Sequence, residues 1–326
     1  MATLPTHRLS CRMPATDPEH RTMRVLSLLP AATEIVAALG DAAQLVGVTH
    51  ECDWPPHVAA LPRVTASAVD AAASAQVVDA AVRALGEAGA PVFALDADRI
   101  AALRPDVIVT QALCDVCAVS ETDVRALARR MSPAPRVVTL AGSTIDGILA
   151  DIGAVALALG VPEAGERMAA ELTARMRAVH ETLKAARAPR PRVAVIEWSE
   201  PAYAAGHWVP EMVRRAGGVD VLAQPGAHSC RVTPEDVRAS APDVVLAAPC
   251  GYDVTRAAAE AERMLARPEW GWARERAVWA LDANALVSRP GPRVVDGIEA
   301  MAAIFAPTLF PAPAPGTAVR LGATGG

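Results

Sequence analysis

A helical segment in the middle of the chain, residues 143 to 187, constrains the fold more than any other feature. It begins with a Ser-Thr pair that can cap a first turn, and its apolar residues then recur at helical spacing. The pattern stops at Gly160, and Pro162 occupies a position typical of a new helix start. A helix from Pro162 to Ala188 would be roughly 40 Å long at about 1.5 Å per residue. The sequence therefore predicts a long helical connection between two halves of the chain.

The two halves share an alternating pattern of short strands and helices. Residues 23–142 and 189–306 each alternate β-rich runs with helical runs, which is typical of α/β layering around a mainly parallel sheet. We therefore predict two Rossmann-like α/β lobes joined by a rigid helical connection over residues 143–188. Residues 1–22 are polar and residues 307–326 are rich in proline, alanine and glycine, so both are predicted to be disordered.

Most of the unusual side chains directly follow a predicted strand. They lie at residues 50–54 and 111–117 in the first half, and at 198–208, 249–251 and 282–293 in the second. Ligands of open α/β sheets bind outside the carboxyl ends of the strands. We therefore expect these loops to face one cleft between the lobes, where a small-molecule ligand binds.

Composition excludes several function classes. A chain of 326 residues with 52% hydrophobic content can bury two cores. Its net charge of -5 and scattered basic residues do not fit a nucleic-acid-binding protein. No segment reaches the ~18 uninterrupted apolar residues of a membrane span. Phosphate-loop, serine-elbow and zinc-protease motifs are absent, so we predict a protein that is not an enzyme.

The first 22 residues also bear on location. They contain several prolines and lack the apolar core of an export signal, which predicts a cytoplasmic protein. Met23 is an alternative first residue. If the gene start is wrong, an export signal further upstream would instead place the protein in the periplasm.

Four motifs in chain order resemble those of a known family. Residues 27–40 begin Ser-Leu-Leu-Pro-Ala-Ala-Thr-Glu-Ile and end Ala-Leu-Gly, and residues 53–64 begin Asp-Trp-Pro-Pro. Residues 99–108 end Leu-Arg-Pro-Asp-Val-Ile, a pattern that residues 237–245 repeat. Over about residues 23–305, the chain resembles the cobalamin-, haem- and siderophore-iron-binding proteins that feed ABC importers, the class III periplasmic binding proteins.

The resemblance implies two α/β lobes on a rigid helix, with a cleft that holds a corrinoid such as cobalamin, or a related tetrapyrrole or metal complex. Residues 197–208 and 288–293 are most similar to the cobalamin-binding branch. Family members carry one acidic residue on each lobe that docks on the importer, and the matching positions here are Asp98 and Glu235. Helix capping is the alternative role for these carboxylates. The lack of an export signal departs from the transporter role of the family. It predicts a cytoplasmic member and leaves open whether an ABC permease is a partner.

Aromatic and basic side chains are the main candidates for ligand contact. The flat faces of tryptophans in cleft loops can line a corrin or haem, although packing between the lobes is an alternative. An arginine fork can pair with a corrinoid phosphate or a haem propionate. The predicted ligand-binding residues are Pro30, His50, Trp54, Trp198, His207, Trp208 and Arg289.

Thiols and imidazoles form a second candidate group. His50 and Cys52 follow one strand, Cys114 and Cys117 follow another, and His207 lies in the second half. Such side chains can bind zinc or another transition metal, and a histidine can ligate the metal of a macrocycle. Simple packing or a Cys-x-x-Cys redox pair are the alternatives. A metal- or thiol-dependent enzyme that uses the same cleft is therefore the alternative function.

Overall fold

The computed structural model describes residues 22–40, 42–113 and 119–322. The first half alternates strands and helices as the sequence predicts. In chain order these elements are β1 (Val25–Ser27), α1 (Pro30–Ala38), β2 (Leu45–Gly47), β3 (Thr65–Ser67), α2 (Ala75–Glu87), β4 (Phe93–Leu95), α3 (Ala97–Leu103), β5 (Val107–Gln111), α4 (Glu121–Arg130) and β6 (Arg136–Leu140).

The first sheet is parallel throughout, in the order β2-β1-β5-β6. Its central strand β5 is buried along its whole length, as expected for a β-branched run covered on both faces. The strands β3 and β4 form a separate antiparallel pair. The strand β3 has only three residues.

The middle of the chain forms two helices, α5 (Ile145–Ala158) and α6 (Pro162–Ala185). Thr144 caps α5 by accepting a hydrogen bond from the backbone of Gly147, and Gly160 separates the helices with a φ of +75°. The 24 residues of α6 make it about 36 Å long. Neither α6 nor any other helix within the described ranges is long and apolar enough to cross a membrane.

The second half repeats the α/β pattern with additional short strands. Its elements are β7 (Arg192–Ser199), β8 (Ala202–Ala204), α7 (Val209–Arg215), β9 (Val219–Asp220), β10 (Cys230–Arg231), α8 (Pro234–Ala239), β11 (Val244–Ala247), α9 (Val254–Ala266), β12 (Ala277–Leu281), α10 (Ala283–Leu286), α11 (Val294–Phe305) and β13 (Ala318–Leu321). Single turns of 3₁₀ type lie at Ala42–Gln44 and Pro56–Ala60, and a longer one at Pro268–Glu275.

The second sheet is mixed, in the order β10-β8-β7-β11-β12-β13, with β9 also paired to β7. The strands β7, β11 and β12 are parallel, whereas β13 runs antiparallel along β12. The prediction of a disordered tail over residues 307–326 is therefore wrong for residues 318–321. Their pairing covers an otherwise open sheet edge, and Leu321 is buried against the core.

One hydrophobic core runs through both halves. Its buried side chains include Ile35 of α1, Ile152 of α5, Met176 of α6 and Ile298 of α11. Arg175 of α6 adds charged hydrogen bonds to two carboxylates of α11, at 2.6 to 2.9 Å. The two central helices therefore pack against helices of both halves, which makes the connection rigid.

We predict opposite effects of alanine at two glycines of the central helices. In α6, a Cβ on Gly165 would lie 2.5 Å from the Cβ of Ala156, so the two helices must separate. In α5, a Cβ on Gly153 meets no atom within 4 Å. Gly165→Ala should lower the free energy of unfolding by about 1–3 kcal/mol through overpacking. Gly153→Ala should raise it by about 0.5–1 kcal/mol through helix propensity. Urea unfolding measures both, and equal effects would contradict the close packing.

Candidate functional site

A cluster of paired charges joins the two halves of the chain. Glu34 lies in α1 with a side chain only 3% exposed, and Arg289 and Arg293 precede the body of α11. Nη1 of Arg289 donates to Oε1 of Glu34 at 2.9 Å and to Oδ1 of Asp53 at 2.6 Å. Arg293 donates through Nε and Nη2 to the same Glu34 carboxylate at 2.9 and 2.6 Å. Asn284 accepts from Arg289 at 2.8 Å and donates to Asp53 at 2.9 Å, which completes this ion cluster.

Pairing with Arg289 makes the ion cluster sensitive to pH. The side chain of Arg289 is 5% exposed. Burial by itself raises the pKa of Asp53, but the hydrogen bond and charge of Arg289 outweigh it and hold this pKa below its ordinary value. A carboxyl group with a lowered pKa stabilises the folded state above its unfolded pKa, and this contribution is lost as the pH falls through the lowered value. The link between the halves therefore weakens in acid.

The start of α1 also touches the second half. Pro30 is the first residue of α1 and directly follows the loop after β1, where its fixed φ suits a helix start. The next residue, Ala31, lies so close to Gly291 that a Cβ on Gly291 would be 3.5 Å from the Ala31 carbonyl oxygen. Pro30 therefore lies next to a contact between the halves, and its role in ligand binding stays a prediction.

Two predicted donors in the loop after β2 already have partners. Cys52 is buried, and its Sγ lies 3.1 Å from the hydroxyls of Thr33 and Thr49. Burial raises the pKa of this thiol more than the hydrogen bonds lower it. Nδ1 of His50 lies 2.7 Å from the hydroxyl of Thr65, and burial lowers the pKa of this imidazole. We therefore expect a neutral thiol and a neutral imidazole at pH 7.

The three tryptophans predicted to line the cleft differ in their surroundings. Trp54 is 46% exposed. Trp198 of β7 is half-buried, and its Nε1 donates to the carbonyl of Ala75 at 3.2 Å. Trp208 is only 9% exposed, packs in the shared core and donates to the carbonyl of Val287 at 2.8 Å. Trp208 is thus a core residue rather than an open ligand surface, whereas Trp54 and Trp198 lie at contacts between the halves.

A second contact joins the segment before α2 to the second half. Arg256 of α9 stacks on Tyr252, with its guanidinium carbon 3.6 Å from the ring centroid. Nη2 of Arg256 donates to the carbonyl of Ala73 at 2.9 Å. Together with the bond from Trp198 to Ala75, this forms what we name the loop bridge. The halves are therefore tied at the loop bridge as well as at the ion cluster.

His207 lies in the loop before α7 and forms a pair with His228, which lies in the loop between β9 and β10. Its φ is +54°, and its ring lies 5.2 Å from that of His228 and 5.8 Å from that of Trp208. Nε2 of His207 is buried and has no hydrogen-bond partner among the residues that the structure describes. Burial, and to a smaller extent His228, lowers the pKa of His207. Its imidazole is therefore neutral at pH 7, the form that ligates metals.

The predicted metal site is not supported by the structure. Cys114 and Cys117 lie outside the described residues. Within residues 22–40, 42–113 and 119–322, no group of three or more His, Cys, Asp or Glu side chains is arranged to hold a metal ion. Cys52 contacts threonine hydroxyls, and His50 and His207 each contact other groups. Within the described residues, His50, Cys52 and His207 therefore do not form a zinc site.

The two acidic residues predicted to dock on a partner are both exposed. Asp98 lies in the first turn of α3, and Glu235 in the first turn of α8. Neither is the capping residue, because Asp96 caps α3 and Thr233 caps α8 in a capping box with Asp236. Capping therefore does not explain them, and their docking role stays a prediction.

Sequence reasoning missed several residues that form these contacts. A signal existed for two of them. Glu34 interrupts an apolar helical run, and Asp53 lies in the loop that follows a predicted strand. Asn284 lies in the range 282–293 that the sequence analysis assigns to the cleft, but nothing there identified it as a partner of Arg289. No sequence signal marked Arg256 or His228. Their roles depend on contacts between distant parts of the chain.

Known sequences provide an independent comparison. The profile of a family described as periplasmic binding protein matches residues 25–283. The vitamin B12-binding protein of Vibrio cholerae is 26% identical over 277 residues, which cover 85% of this chain and 86% of that relative. The match thus extends over both halves and the central helices.

Solved structures give the same result for the fold. A periplasmic haem-binding protein from Pseudomonas aeruginosa is similar with a TM-score of 0.68 and 24% identity, over 91% of this chain and 97% of that chain. A periplasmic vitamin B12 binding protein of Vibrio cholerae has a TM-score of 0.59 and 24% identity, over 86% and 96% of the two chains. These likenesses confirm the predicted two-lobed α/β fold.

The predicted cytoplasmic location is wrong. It relied on the polar character of residues 1–22, whereas the matching family and both structural relatives are described as periplasmic. The comparisons therefore point to the periplasm. The relatives are binding proteins, which confirms the prediction that the chain is not an enzyme.

We predict that Arg289→Met is strongly destabilising. Without Arg289, the buried Glu34 carboxylate keeps only Arg293 as a charged partner. Breaking a buried pair on one side costs about 3–5 kcal/mol. The matched control is Arg125→Met, which breaks an exposed pair with Glu121 and should cost under about 1 kcal/mol. Urea unfolding at pH 7 measures both, and an Arg289 cost no larger than the control would show that the ion cluster contributes little.

Proposed function

The chain belongs to the periplasmic binding protein family, and from that premise we propose that it binds a corrinoid or a related tetrapyrrole such as haem between its lobes. The observation that carries the proposal is the match to a vitamin B12-binding protein over 85% of this chain, including both lobes and the central helices. A relative of similar fold is described as a haem-binding protein, so we include haem in the proposed ligand class. A titration with two corrinoids and haemin distinguishes the preferred ligand within this class.

The interlobe face offers surfaces that suit a flat macrocycle. The exposed ring of Trp54 lies 5.2 Å from the guanidinium of Arg293, which combines an apolar face with a positive charge. Trp198 supplies a second indole from the other lobe. We propose that Trp54, Trp198, Pro30 and His50 line the ligand.

Arg289 has a different role in this proposal from the one expected from sequence. Its guanidinium already pairs with Glu34 and Asp53 and is 5% exposed. An anionic ligand group would have to compete with both carboxylates. We therefore propose that Arg289 positions the lobes, and that the more exposed Arg293 is the better partner for a phosphate or propionate.

The proposed setting is the periplasm, where the protein would deliver its ligand to an ABC importer. Asp98 and Glu235 support this part of the proposal because they are exposed and free of a capping role, one on each lobe. Carboxylates at such positions can pair with arginines of a permease. This gives a charged contact from each lobe to the partner.

We predict stoichiometric binding of at least one tetrapyrrole. The purified protein is titrated with cyanocobalamin, dicyanocobinamide and haemin, and absorbance and tryptophan quenching are recorded. One ligand should saturate at one or two equivalents and be recovered unchanged. If none of the three binds, the proposed ligand class is wrong.

Two variants locate the site in the same titration. Trp54→Ala should weaken binding on the order of tenfold, because an aromatic contact contributes about 0.5–1.5 kcal/mol beyond its buried area. Leu157→Ala is the control, since Leu157 is an exposed apolar residue on α5 with 61% exposure. Equal loss in both variants would argue against binding at Trp54.

We also predict that His207 ligates the metal of the bound macrocycle after a side-chain movement that exposes Nε2. His207→Ala should then shift the visible spectrum of the bound ligand, whereas His180→Ala, an exposed histidine on α6, should not. Because its pKa is lowered, His207 should stay bound through pH 6.5 and leave only as the pH falls through the lowered value. An unchanged spectrum for His207→Ala would exclude this ligation.

A further inference from the structure

A basic concavity lies at the carboxyl end of the central helix α6, apart from the interlobe residues. Its volume is about 530 Å³. Its walls come from the end of α6, the segment that leads to β7, and the end of α7. The lining cations are Lys184, Arg187, Arg190, Arg214 and Arg215, beside His180 and the apolar residues Leu183, Ala188 and Pro189.

Close packing between α6 and the turn after α7 shapes this concavity. Gly217 has a φ of +95°, and a Cβ there would lie 2.8 Å from a methyl group of Leu183. Arg190 extends across the same turn and donates through Nη2 to the carbonyl of Gly218 at 2.9 Å. These contacts hold the arginine-bearing segment beside α7.

Only two of the five cations around the concavity have acidic partners among the residues that the structure describes. Arg214 and Arg215 share Oε1 of the buried Glu211, at 3.0 and 2.9 Å, and Arg215 also reaches Asp146 at 3.3 Å. No acidic side chain is among the residues that line the concavity. The whole chain nevertheless carries a net charge of -5. The positive charge is therefore concentrated around this concavity and is not a property of the whole chain.

Three of the cations have no carboxylate partner in the part of the chain that the structure describes. They are Lys184, Arg187 and Arg190, and all three are exposed. Lys184 lies in the last turn of α6, where a positive charge complements the helix dipole. Arg187 and Arg190 lie beyond the helix end, so the dipole does not account for them.

We propose that this concavity binds a phosphate-bearing anion. Arginine forks pair bidentately with phosphate oxygens, lysine adds a point charge, and several cations around one recess favour a ligand with more than one anionic oxygen. The apolar side chains of Leu183 and Pro189 suit the carbon part of a phosphate ester. Two sources share this chemistry, a free phosphate compound and the headgroup of an anionic phospholipid.

The test compares the wild-type chain with two charge-matched triple variants. One is Lys184→Gln, Arg187→Gln and Arg190→Gln. The control is Arg129→Gln, Arg130→Gln and Arg167→Gln, which removes three exposed cations of α4 and α6 outside the concavity. Thermal unfolding first verifies that all three proteins are folded.

Each protein is then mixed with vesicles of phosphatidylcholine, with or without phosphatidylglycerol, and separately with inorganic pyrophosphate. We expect the wild type and the control to bind the anionic vesicles, and the concavity variant to bind on the order of a hundredfold more weakly, at about 1 kcal/mol per cation. A second outcome is that none of the three proteins binds vesicles, but pyrophosphate raises the melting temperature of the wild type and the control and not that of the concavity variant. The anion bound by the concavity is then a free phosphate compound.

The proposal is overturned if the concavity variant and the control respond alike to both probes. Equal responses would mean that the cations act through the net charge of the chain. The tetrapyrrole titration is independent of this result, because no residue of the concavity belongs to the proposed interlobe site. Failure of one proposal is therefore distinguishable from failure of the other.

Discussion

The burial of one carboxylate governs how the two lobes meet. Glu34 lies in an apolar helix with a side chain 3% exposed, and a charge there is tolerated only if it is paired and hydrogen-bonded. Its partners, Arg289 and Arg293, lie 255 and 259 positions later in the chain. Folding of the first lobe around α1 is thus completed by the segment that opens α11. The helix start at Pro30 and the loop at Asp53 are fixed by the same requirement.

The central helices supply a second constraint, which acts through packing. Ile152 of α5 and Met176 of α6 belong to one continuous core with α1 and α11, which joins the two lobes. Each lobe also has a smaller apolar cluster of its own, which includes Ile108 in the first lobe and Trp270 in the second. Ile145 of α5 donates its backbone N–H to Glu211 of α7 at 3.0 Å, which ties the central helices to the second lobe. A hinge that separated the lobes widely would have to open this core. The architecture therefore favours local movement over wide domain closure.

Much of the fold was readable from local patterns, because long amphipathic helices and β-branched strands carry their own signal. The break at Gly160, the cap at Thr144 and the buried strand β5 all follow from neighbouring residues. The short strand β13 was missed because its stability comes from pairing with β12, and a tail rich in proline and glycine gives no local sign of that. Trp208 was assigned to the cleft from its loop position, whereas its burial depends on helices elsewhere in the sequence. Site residues such as Arg256 and Asn284 were unpredictable for the same reason, since their partners are far away in the chain.

The ion cluster and the loop bridge, the two sets of polar contacts between the halves, differ in strength. The loop bridge consists of two hydrogen bonds to backbone carbonyls, from Arg256 to Ala73 and from Trp198 to Ala75. Such bonds contribute about 0.5–3 kcal/mol each, because water replaces them when they open. The ion cluster buries Glu34 under two arginines, and separating it leaves a desolvated charge at a cost of about 3–5 kcal/mol. The loop bridge is therefore the weaker of the two sets of contacts between the halves, and the ion cluster is the one that holds the lobes in register.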